Sequence, residues 1–442
     1  MTASRFFVPA ALLLLLLAAP VRTAAAADDT PPPRLDVCGR FFCDAQTGAV
    51  KDYREVSAFA LYARWLKGEE AHVRRYAAAM RREGVTALRV MLTLGGPFWD
   101  RRGFHVGPDA GERFYQELPR FVDALGHEGL YVRLTLIAAI EPLGATVPDR
   151  SDHFTAATAA AAETMVRRVA PLVGGRSHVL FEIANEWNHI GMADSAEAVV
   201  RLGRIVAETA PAALLNLTNT SAAIAGQTTW ARPPADYVDT HLPRDKGAGG
   251  FTWLAASLDL PVIRQELMPV LSGEPINFGS RGVGGTDDHE SSPAVACAYG
   301  AVSRLARFYT TFHYDDGLWA DLPDAPTLDL LRAWQRCLDA VPFDAIAPGT
   351  TRCDDLAPCG PWAEEARPLA AARAAAGDRA WPLRIVGRQG PDGYVAVSLR
   401  EPRAWDGRPY LVDGARVEEL ARVEQGPWAT VIRRIRPALR PH

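Results

Sequence analysis

Apolar runs with the length and composition of β-strands alternate with amphipathic helical runs along most of this sequence. Eight such runs fall within about 260 residues, at 53–61, 86–95, 130–140, 178–185, 213–220, 236–242, 268–275 and 307–314. Strands that alternate with helices build parallel sheets from βαβ units, and eight units of this size predict an α/β fold, the (β/α)8 TIM barrel. An open, doubly wound sheet is the rival fold. It normally carries a GxGxxG turn after an early strand, and this sequence has none there.

Helix candidates separate the strands, and several end in glycine or proline, as helix C-termini commonly do. They include residues 69–84, 111–129, 154–175 and 195–211. Beyond about residue 345 the pattern changes to short alternating runs split by turns such as "GPDG", which predicts a small antiparallel β-rich unit on the flank of the barrel. We therefore divide the chain into a signal peptide, an N-terminal linker, the barrel and a β-rich C-terminal domain, at residues 1–27, 28–50, 51–345 and 346–442.

The N-terminus has the pattern of a secretory signal peptide. Arg5 supplies the positive charge, residues 6–19 form the apolar segment, and "RTAAAA" supplies small residues for cleavage. A membrane anchor is the alternative, but the apolar segment is shorter than the roughly 20 residues that a spanning helix needs. We expect cleavage, a secreted or periplasmic protein, and no stable membrane anchor in the mature chain.

Six cysteines fit an oxidising compartment, where disulfides persist. Their spacing favours bridges within two close pairs and leaves one distant pair, namely Cys38–Cys43, Cys353–Cys359 and Cys297–Cys337. Six cysteines allow about 15 connectivities, so spacing alone leaves the pairing open. A zinc site is disfavoured because no CxxC pair or Cys/His cluster has the spacing of metal ligands.

Composition excludes two classes of function. Hydrophobic residues make up 48% of the chain and the formal net charge is −4. That hydrophobic content is too high for a disordered chain. A nucleic-acid-binding protein would be expected to present a basic face, which this balance does not suggest. We therefore expect no nucleic-acid partner.

Polar residues interrupt the fourth apolar run abruptly, where "HVLFEIAN" continues into Glu186, Trp187, Asn188 and His189. In a (β/α)8 barrel the active site lies at the C-terminal ends of the strands, so Glu186 would emerge at the mouth. The seventh run, "MPVLSGEP", would bring Glu274 to the opposite side of the same mouth. One protonated and one ionised carboxyl group flanking a ligand are what glycosidic bond hydrolysis requires.

Each carboxylate has an alternative interpretation. An isolated Asn-Glu pair is often a helix cap or a surface feature, but at the end of a fourth barrel strand the catalytic interpretation is favoured. Glu266 in "PVIRQEL" competes with Glu274. We prefer Glu274 because "PVLSGEP" has the pattern of a strand that ends in small residues, whereas "VIRQEL" has that of a helix or loop.

With these residues the chain resembles the retaining glycoside hydrolases of clan A, and is most similar to their cellulase and mannanase family, glycoside hydrolase family 5. The resemblance covers residues 50–320 and implies a (β/α)8 barrel. It implies that Asn185 hydrogen-bonds the sugar 2-hydroxyl, that Glu186 is the general acid/base, and that Glu274 is the nucleophile.

Further positions follow from the same resemblance. Arg89 on the second strand matches an arginine beneath the nucleophile, and His241 after the sixth matches a histidine of the pocket. Trp319 is the best match for a tryptophan at the eighth strand. The chain departs from the pattern at Trp187, where much of the clan has proline, and at Pro243, where it often has tyrosine. Two alternatives remain. Arg89 could be a structural partner of a barrel carboxylate, and His241 could be an ordinary histidine at the edge of the pocket.

Aromatic residues cluster in the segments that follow the predicted strands. Sugars stack their C–H faces on indole rings, so we interpret Trp99, Trp187 and Trp319 as substrate-binding residues. Ordinary packing over the mouth is the alternative for each. The loop at 281–292 is rich in glycine and carboxylates. It lacks EF-hand spacing and fits a solvated rim loop better than a calcium site.

We therefore predict a secreted glycosidase that hydrolyses O-glycosyl compounds, specifically a β-linked glycan or glycoside, by double displacement. It would bind carbohydrate and need neither a cofactor nor a metal. The alternative is a carbohydrate-binding (β/α)8 barrel without catalysis, and the departures at 243 and on the eighth strand motivate it. A metal-dependent barrel hydrolase would need histidine and aspartate clustered at strand ends, which the predicted strands do not supply.

Overall fold

A computed structural model describes residues 30–144, 155–186, 196–220, 234–240, 268–273, 293–305, 308–341, 386–389, 392–400, 416–425 and 428–436. The strands are β1 (Leu35–Cys38), β2 (Phe41–Asp44), β3 (Glu55–Ser57), β4 (Ala87–Met91), β5 (Tyr131–Ile137), β6 (Val179–Asn185), β7 (Leu214–Thr220), β8 (Val238–Thr240), β9 (Val270–Ser272), β10 (Tyr309–Phe312), β11 (Val386–Gln389), β12 (Asp392–Arg400), β13 (Arg416–Gln425) and β14 (Trp428–Arg436).

Strands β3 to β10 form one closed, parallel barrel in chain order, with β10 beside β3. Each of the eight predicted strand segments contains one barrel strand, so the (β/α)8 prediction is confirmed. The fourth and seventh barrel strands are β6 and β9, as expected. Their C-terminal ends therefore reach the same mouth.

The described helices connect the barrel strands, and the longer ones cover the outer faces of these strands. They are α1 (Leu61–Leu66), α2 (Glu70–Arg82), α3 (Pro97–Asp100), α4 (Glu112–His127), α5 (Ala156–Val173), α6 (Ala196–Thr209), α7 (Pro293–Leu305), α8 (Asp315–Leu318) and α9 (Ala325–Ala340). Beyond the C-termini of α2 and α4, Gly84 and Gly129 adopt φ values of 82° and 74°, which favour glycine. None of these helices is both long and apolar enough for a bilayer crossing.

Every residue of β4 and β5 is buried, yet apolar and polar residues still alternate along the middle of β5. In β5, Val132, Leu134 and Leu136 belong to the apolar core, while Arg133 and Thr135 bond to side chains of other barrel strands. Successive residues of a strand point to opposite faces. The apolar set therefore packs against the helices, and the polar set fills the barrel interior.

A short hairpin closes the N-terminal end of the barrel. Strands β1 and β2 pair antiparallel, and Cys38 and Cys43 form a disulfide across them, as predicted. Phe42 is fully buried, and its ring centroid lies 5.2, 5.5 and 4.9 Å from those of Tyr53, Tyr237 and Tyr309. This aromatic plug lies at the end of the barrel opposite the mouth.

Strands β11 to β14 form a separate antiparallel sheet of four strands, in agreement with the predicted β-rich C-terminal unit. The sheet packs against α7 and α9, and Cys297 and Cys337 join these two helices by a disulfide, so this predicted pair is confirmed. The signal peptide at 1–27 and the predicted Cys353–Cys359 bridge lie outside the described residues. The division at residue 345 stays a prediction.

Candidate active site

The fourth barrel strand, β6, ends in Asn185, and Glu186 follows it directly. Residues 179–184 of this strand are buried, whereas Asn185 and Glu186 are partly exposed. Glu186 has φ of 41°, in the left-handed region, which costs about 1–3 kcal/mol for a residue with a side chain. Such strain persists where the surrounding structure holds it, and it is common at functional sites. Both residues lie where the sequence pattern placed them, at the mouth end of the strand.

Arg89, on the second barrel strand, holds Asn185 in place. Its Nη2 donates to Oδ1 of Asn185 at 2.7 Å, and its Nε and Nη2 donate to the two carboxylate oxygens of Glu182 at 3.0 Å each. A guanidinium group only donates, so the Asn185 amide must present its oxygen to Arg89 and can direct its NH2 group elsewhere. Arg89 is thus paired to a barrel carboxylate, the structural alternative considered for it. A role beside Glu274 stays a prediction.

A layer of buried charges lies beneath the mouth, and the sequence interpretation missed it. Arg133 is fully buried and donates to both carboxylate oxygens of Glu55, at 2.9 and 2.6 Å. It also pairs with Asp239 and lies 3.3 Å from Glu182. Burial alone would lower the pKa of the Arg133 guanidinium. The negative charges of Asp239, Glu55 and Glu182 outweigh burial and hold that pKa well above its ordinary value.

Hydroxyl groups satisfy the remaining acceptors of this layer. Tyr53 and Thr311 donate to Glu55 at 2.7 and 2.6 Å, and Thr135 donates to Glu182 at 2.8 Å. Buried charges are stable only when they are both paired and hydrogen-bonded. The signal in the sequence was a charged residue inside five of the eight apolar strands, at an inward-pointing position. We call Glu55, Arg89, Arg133, Glu182 and Asp239 the ionic layer.

The seventh barrel strand, β9, is anchored to the ionic layer at its mouth end. The backbone N–H of Gly273 donates to Oδ1 of Asp239 on β8 at 2.7 Å. A Cβ atom at position 273 would lie 2.5 Å from Oδ2 of Asp239, so glycine permits this close approach. Gly273 immediately precedes Glu274 in the sequence. Glu274, Trp187 and His241 lie outside the described residues, and their predicted roles stay predictions.

His313, which follows the eighth barrel strand directly, is a further polar residue at the mouth. Its Nδ1 lies 2.7 Å from Oγ of Ser57, at the end of the first strand. Its ring centroid is 5.5 Å from that of Phe59, and the guanidinium carbon of Arg89 lies 5.0 Å from the centre of the same Phe59 ring. The sequence interpretation sought a tryptophan near this strand and passed over the histidine within the predicted segment 307–314.

Aromatic side chains from the segments after the second and eighth strands form one cluster. Trp99 and Trp319 have ring centroids 5.1 Å apart, and Phe98 lies 5.1 Å from each of them. The guanidinium carbon of Arg102 lies 4.0 Å from the centre of the Trp319 ring, and Trp319 is only 6% exposed. Phe98 and the partly exposed Trp99 therefore supply most of the accessible surface of the cluster, with Trp319 packed beneath them.

The described residues contain no group of three or more histidine, cysteine, aspartate or glutamate side chains arranged to hold a metal ion. What they bring together at the mouth is one partly exposed carboxylate, one oriented amide and the buried ionic layer below them. A carboxylate beside fixed hydrogen-bond donors can exchange a proton with a bound ligand while the amide orients it.

Solved structures share this architecture. One, described as a glycoside hydrolase, aligns with a TM-score of 0.53 and 10% sequence identity, over 92% of this chain and 98% of that one. Another, a family 5 glycoside hydrolase from Bacteroides vulgatus ATCC 8482, aligns with a TM-score of 0.55 and 10% identity, over 92% of this chain and 95% of that one. No protein-family model and no curated protein matches the sequence. At this level of identity the likeness establishes the fold.

Proposed function

We propose that the chain is a retaining glycoside hydrolase that cleaves the O-glycosidic bonds of a β-linked glycan or glycoside. The observation that carries the proposal is the strained Glu186 at the end of the fourth barrel strand, beside an Asn185 amide that Arg89 orients at 2.7 Å. The structures of similar fold described as glycoside hydrolases support the same reaction class.

In this proposal Glu186 is the general acid and base. Its carboxylic acid donates a proton to the glycosidic oxygen as the bond to the anomeric carbon breaks, and the leaving sugar departs as an alcohol. The NH2 group of Asn185 donates to the sugar 2-hydroxyl, a hydrogen bond that strengthens in the transition state. The Arg89 contact keeps the Asn185 oxygen away from the sugar, so the amide presents its donor.

Glu274 is the proposed nucleophile. Its carboxylate attacks the anomeric carbon and forms a glycosyl ester with the enzyme. Glu186, now ionised, takes a proton from water, whose oxygen attacks the anomeric carbon and releases Glu274. Retention requires the two carboxyl groups to lie about 5–5.5 Å apart, whereas an inverting pair would lie about 6.5–9.5 Å apart.

The substrate is proposed to be carbohydrate, with the exposed Phe98 and partly exposed Trp99 as stacking surfaces for sugar rings. His241 and Trp187 complete the proposed substrate-binding set, and Trp319, which packs beneath Phe98 and Trp99, contributes to it by supporting their rings. A secreted or periplasmic location is proposed from the signal-like N-terminus and is supported by two disulfides, which persist in oxidising compartments.

The test is hydrolysis of a panel of nitrophenyl and dinitrophenyl β-glycosides by purified wild type, Glu186→Ala and Glu274→Ala. Loss of the acid/base should lower kcat by about 10²- to 10⁴-fold on the poor nitrophenyl leaving group. It should lower kcat/KM much less on the dinitrophenyl substrates, because their leaving group needs little protonation in the first step, although kcat still falls because hydrolysis of the glycosyl ester lacks its base. Azide should restore turnover in Glu186→Ala by attacking the glycosyl ester in place of activated water, which gives a β-glycosyl azide. Any azide turnover by Glu274→Ala would be a single direct displacement and should give the α-glycosyl azide instead.

Two matched variants control for nonspecific effects. Glu197→Gln removes an exposed carboxylate from the first turn of α6, and Glu266→Gln removes the competing candidate nucleophile. Both should retain wild-type kcat. If wild type and all variants are equally inert while a β-glucan still binds, the protein is a carbohydrate-binding barrel and the hydrolase proposal is wrong.

A further inference from the structure

One buried chain of contacts connects the ends of the fourth and seventh barrel strands. It starts at Asn185, which accepts from Arg89, and passes to Glu182, which Arg89 holds through both carboxylate oxygens. Asn185 directly precedes the proposed acid/base Glu186, and Arg89 connects Asn185 to Glu182. The first half of the chain of contacts therefore fixes the peptide that precedes one proposed catalytic carboxylate.

The second half of this series of contacts fixes the peptide that precedes the other proposed catalytic carboxylate, Glu274. Arg133 lies 3.3 Å from Glu182 and pairs directly with Asp239. Asp239 then accepts the backbone N–H of Gly273 at 2.7 Å. Because Gly273 is followed by Glu274, the position of Asp239 sets where the chain leaves β9 toward the proposed nucleophile.

Neither end of this path can shift alone without cost. Glu55 holds Arg133 from the first strand through two hydrogen bonds, and every member of the ionic layer is at most 1% exposed. A buried charge that loses its partner is penalised strongly, so the contacts resist small displacements. A close-packed interior transmits such a constraint from one strand to the next.

We propose that Asp239 is a positioning residue for the nucleophile. Through Gly273 on one side and Arg133 on the other, it ties the end of the seventh barrel strand to the end of the fourth. This inference rests on the proposed hydrolase function and assigns a task to a residue that does not itself touch the substrate. A displacement of about 1 Å at a reacting group can cost roughly 100-fold in rate, so the tie has a measurable consequence.

The test is the steady-state kinetics of Asp239→Asn on the best aryl β-glycoside of the panel. The substitution keeps the size of the side chain but removes the charge that faces Arg133. We expect kcat to fall by about 10- to 100-fold and KM to change less than about threefold, because positioning of the nucleophile acts mainly in the transition state. Asp236→Asn is the matched control. Asp236 also accepts a backbone N–H, from Leu215 at 2.9 Å, but at the N-terminal end of the barrel.

A second pair of variants leaves every charge in place. In Gly273→Ala the new Cβ would lie 2.5 Å from Oδ2 of Asp239 and should force that contact apart. In Gly203→Ala on α6 the new Cβ would lie 2.4 Å from Cδ2 of Leu217, a clash of similar size on the outside of the barrel. We expect Gly273→Ala to lose kcat as Asp239→Asn does, and Gly203→Ala to retain it, with melting temperatures recorded for all four proteins.

The outcomes separate this inference from the function on which it rests. A loss of kcat confined to the variants at 239 and 273 supports the positioning role. If both retain kcat within about twofold of wild type, or if all four variants lose activity in proportion to their melting temperatures, the role is refuted while the hydrolase function stands. A folded wild type that is inert on the whole panel overturns the hydrolase proposal and this inference with it.

Discussion

Substitution of Arg133 by methionine measures how strongly the ionic layer stabilises the barrel. Methionine keeps an unbranched stem but cannot be charged. The layer has three carboxylates, Glu55, Glu182 and Asp239, and two guanidinium groups, so the loss of Arg133 leaves three carboxylates with Arg89 alone. All of these groups are buried, and water cannot replace the lost partner.

Removal of one partner of a buried ion pair costs about 3–5 kcal/mol. Arg133 serves three carboxylates, so we expect the upper end of that range. For a domain of about 300 residues, where each kcal/mol shifts the melting temperature by about 1.5–2 °C, this is a decrease of roughly 8–10 °C. The matched control is Arg332→Met. Arg332 makes two good hydrogen bonds to Glu83, at 2.8 and 2.7 Å, but its side chain is 53% exposed. Its loss should cost at most about 1 kcal/mol.

The assay is thermal and urea unfolding followed by far-ultraviolet circular dichroism, with both variants and wild type in the same buffer. We expect Arg133→Met to lose much more free energy of unfolding, relative to wild type, than Arg332→Met. If the free energies of unfolding of Arg133→Met and Arg332→Met differ by less than about 1 kcal/mol, the contacts described do not stabilise the buried charges, and the stabilising role of the ionic layer is refuted.

Three further outcomes follow from described residues. Phe42→Ala should destabilise the protein by about 3–5 kcal/mol yet leave kcat at 25 °C unchanged, because the aromatic plug lies opposite the mouth; a loss of kcat in the folded variant would contradict this. Burial lowers the pKa of His178 below 6.5 in the folded state. Stability should therefore fall as pH drops below about 6.5, where the unfolded chain binds the proton first, and His178→Gln should flatten that slope in urea titrations from pH 7 to 5. A double Cys297→Ser, Cys337→Ser variant should lose about 2–4 kcal/mol by the same titration, and an unchanged midpoint would show that the bridge does not stabilise α7 against α9.

Local patterns in the sequence were sufficient for the barrel and for the position of Glu186. The run "HVLFEIAN" has the composition of a buried strand, and its abrupt end in polar residues indicates the mouth without any knowledge of neighbouring strands. The Cys297–Cys337 bridge was one of the pairings that the spacing of the cysteines left open, and the structure shows that it forms.

The ionic layer could not be predicted in this way. Arg89 and Glu182 are 93 residues apart, and Arg133 and Asp239 are 106 residues apart. Which inward-pointing charges meet depends on the register and tilt of eight strands, and local propensity carries no information about either. His313 was missed for another reason, because the family resemblance points to a tryptophan at the eighth strand and gives no role to the histidine inside the predicted segment.

The most direct test of the hydrolase account is identification of the covalently labelled residue. A dinitrophenyl β-glycoside with fluorine in place of the 2-hydroxyl slows hydrolysis of the glycosyl ester, so the intermediate accumulates and can be mapped by peptide mass spectrometry. The account predicts a single label on Glu274, absent from Glu274→Ala and retained in Glu266→Gln. A label on Glu266 or Glu186, or turnover with inversion and no label, would contradict it.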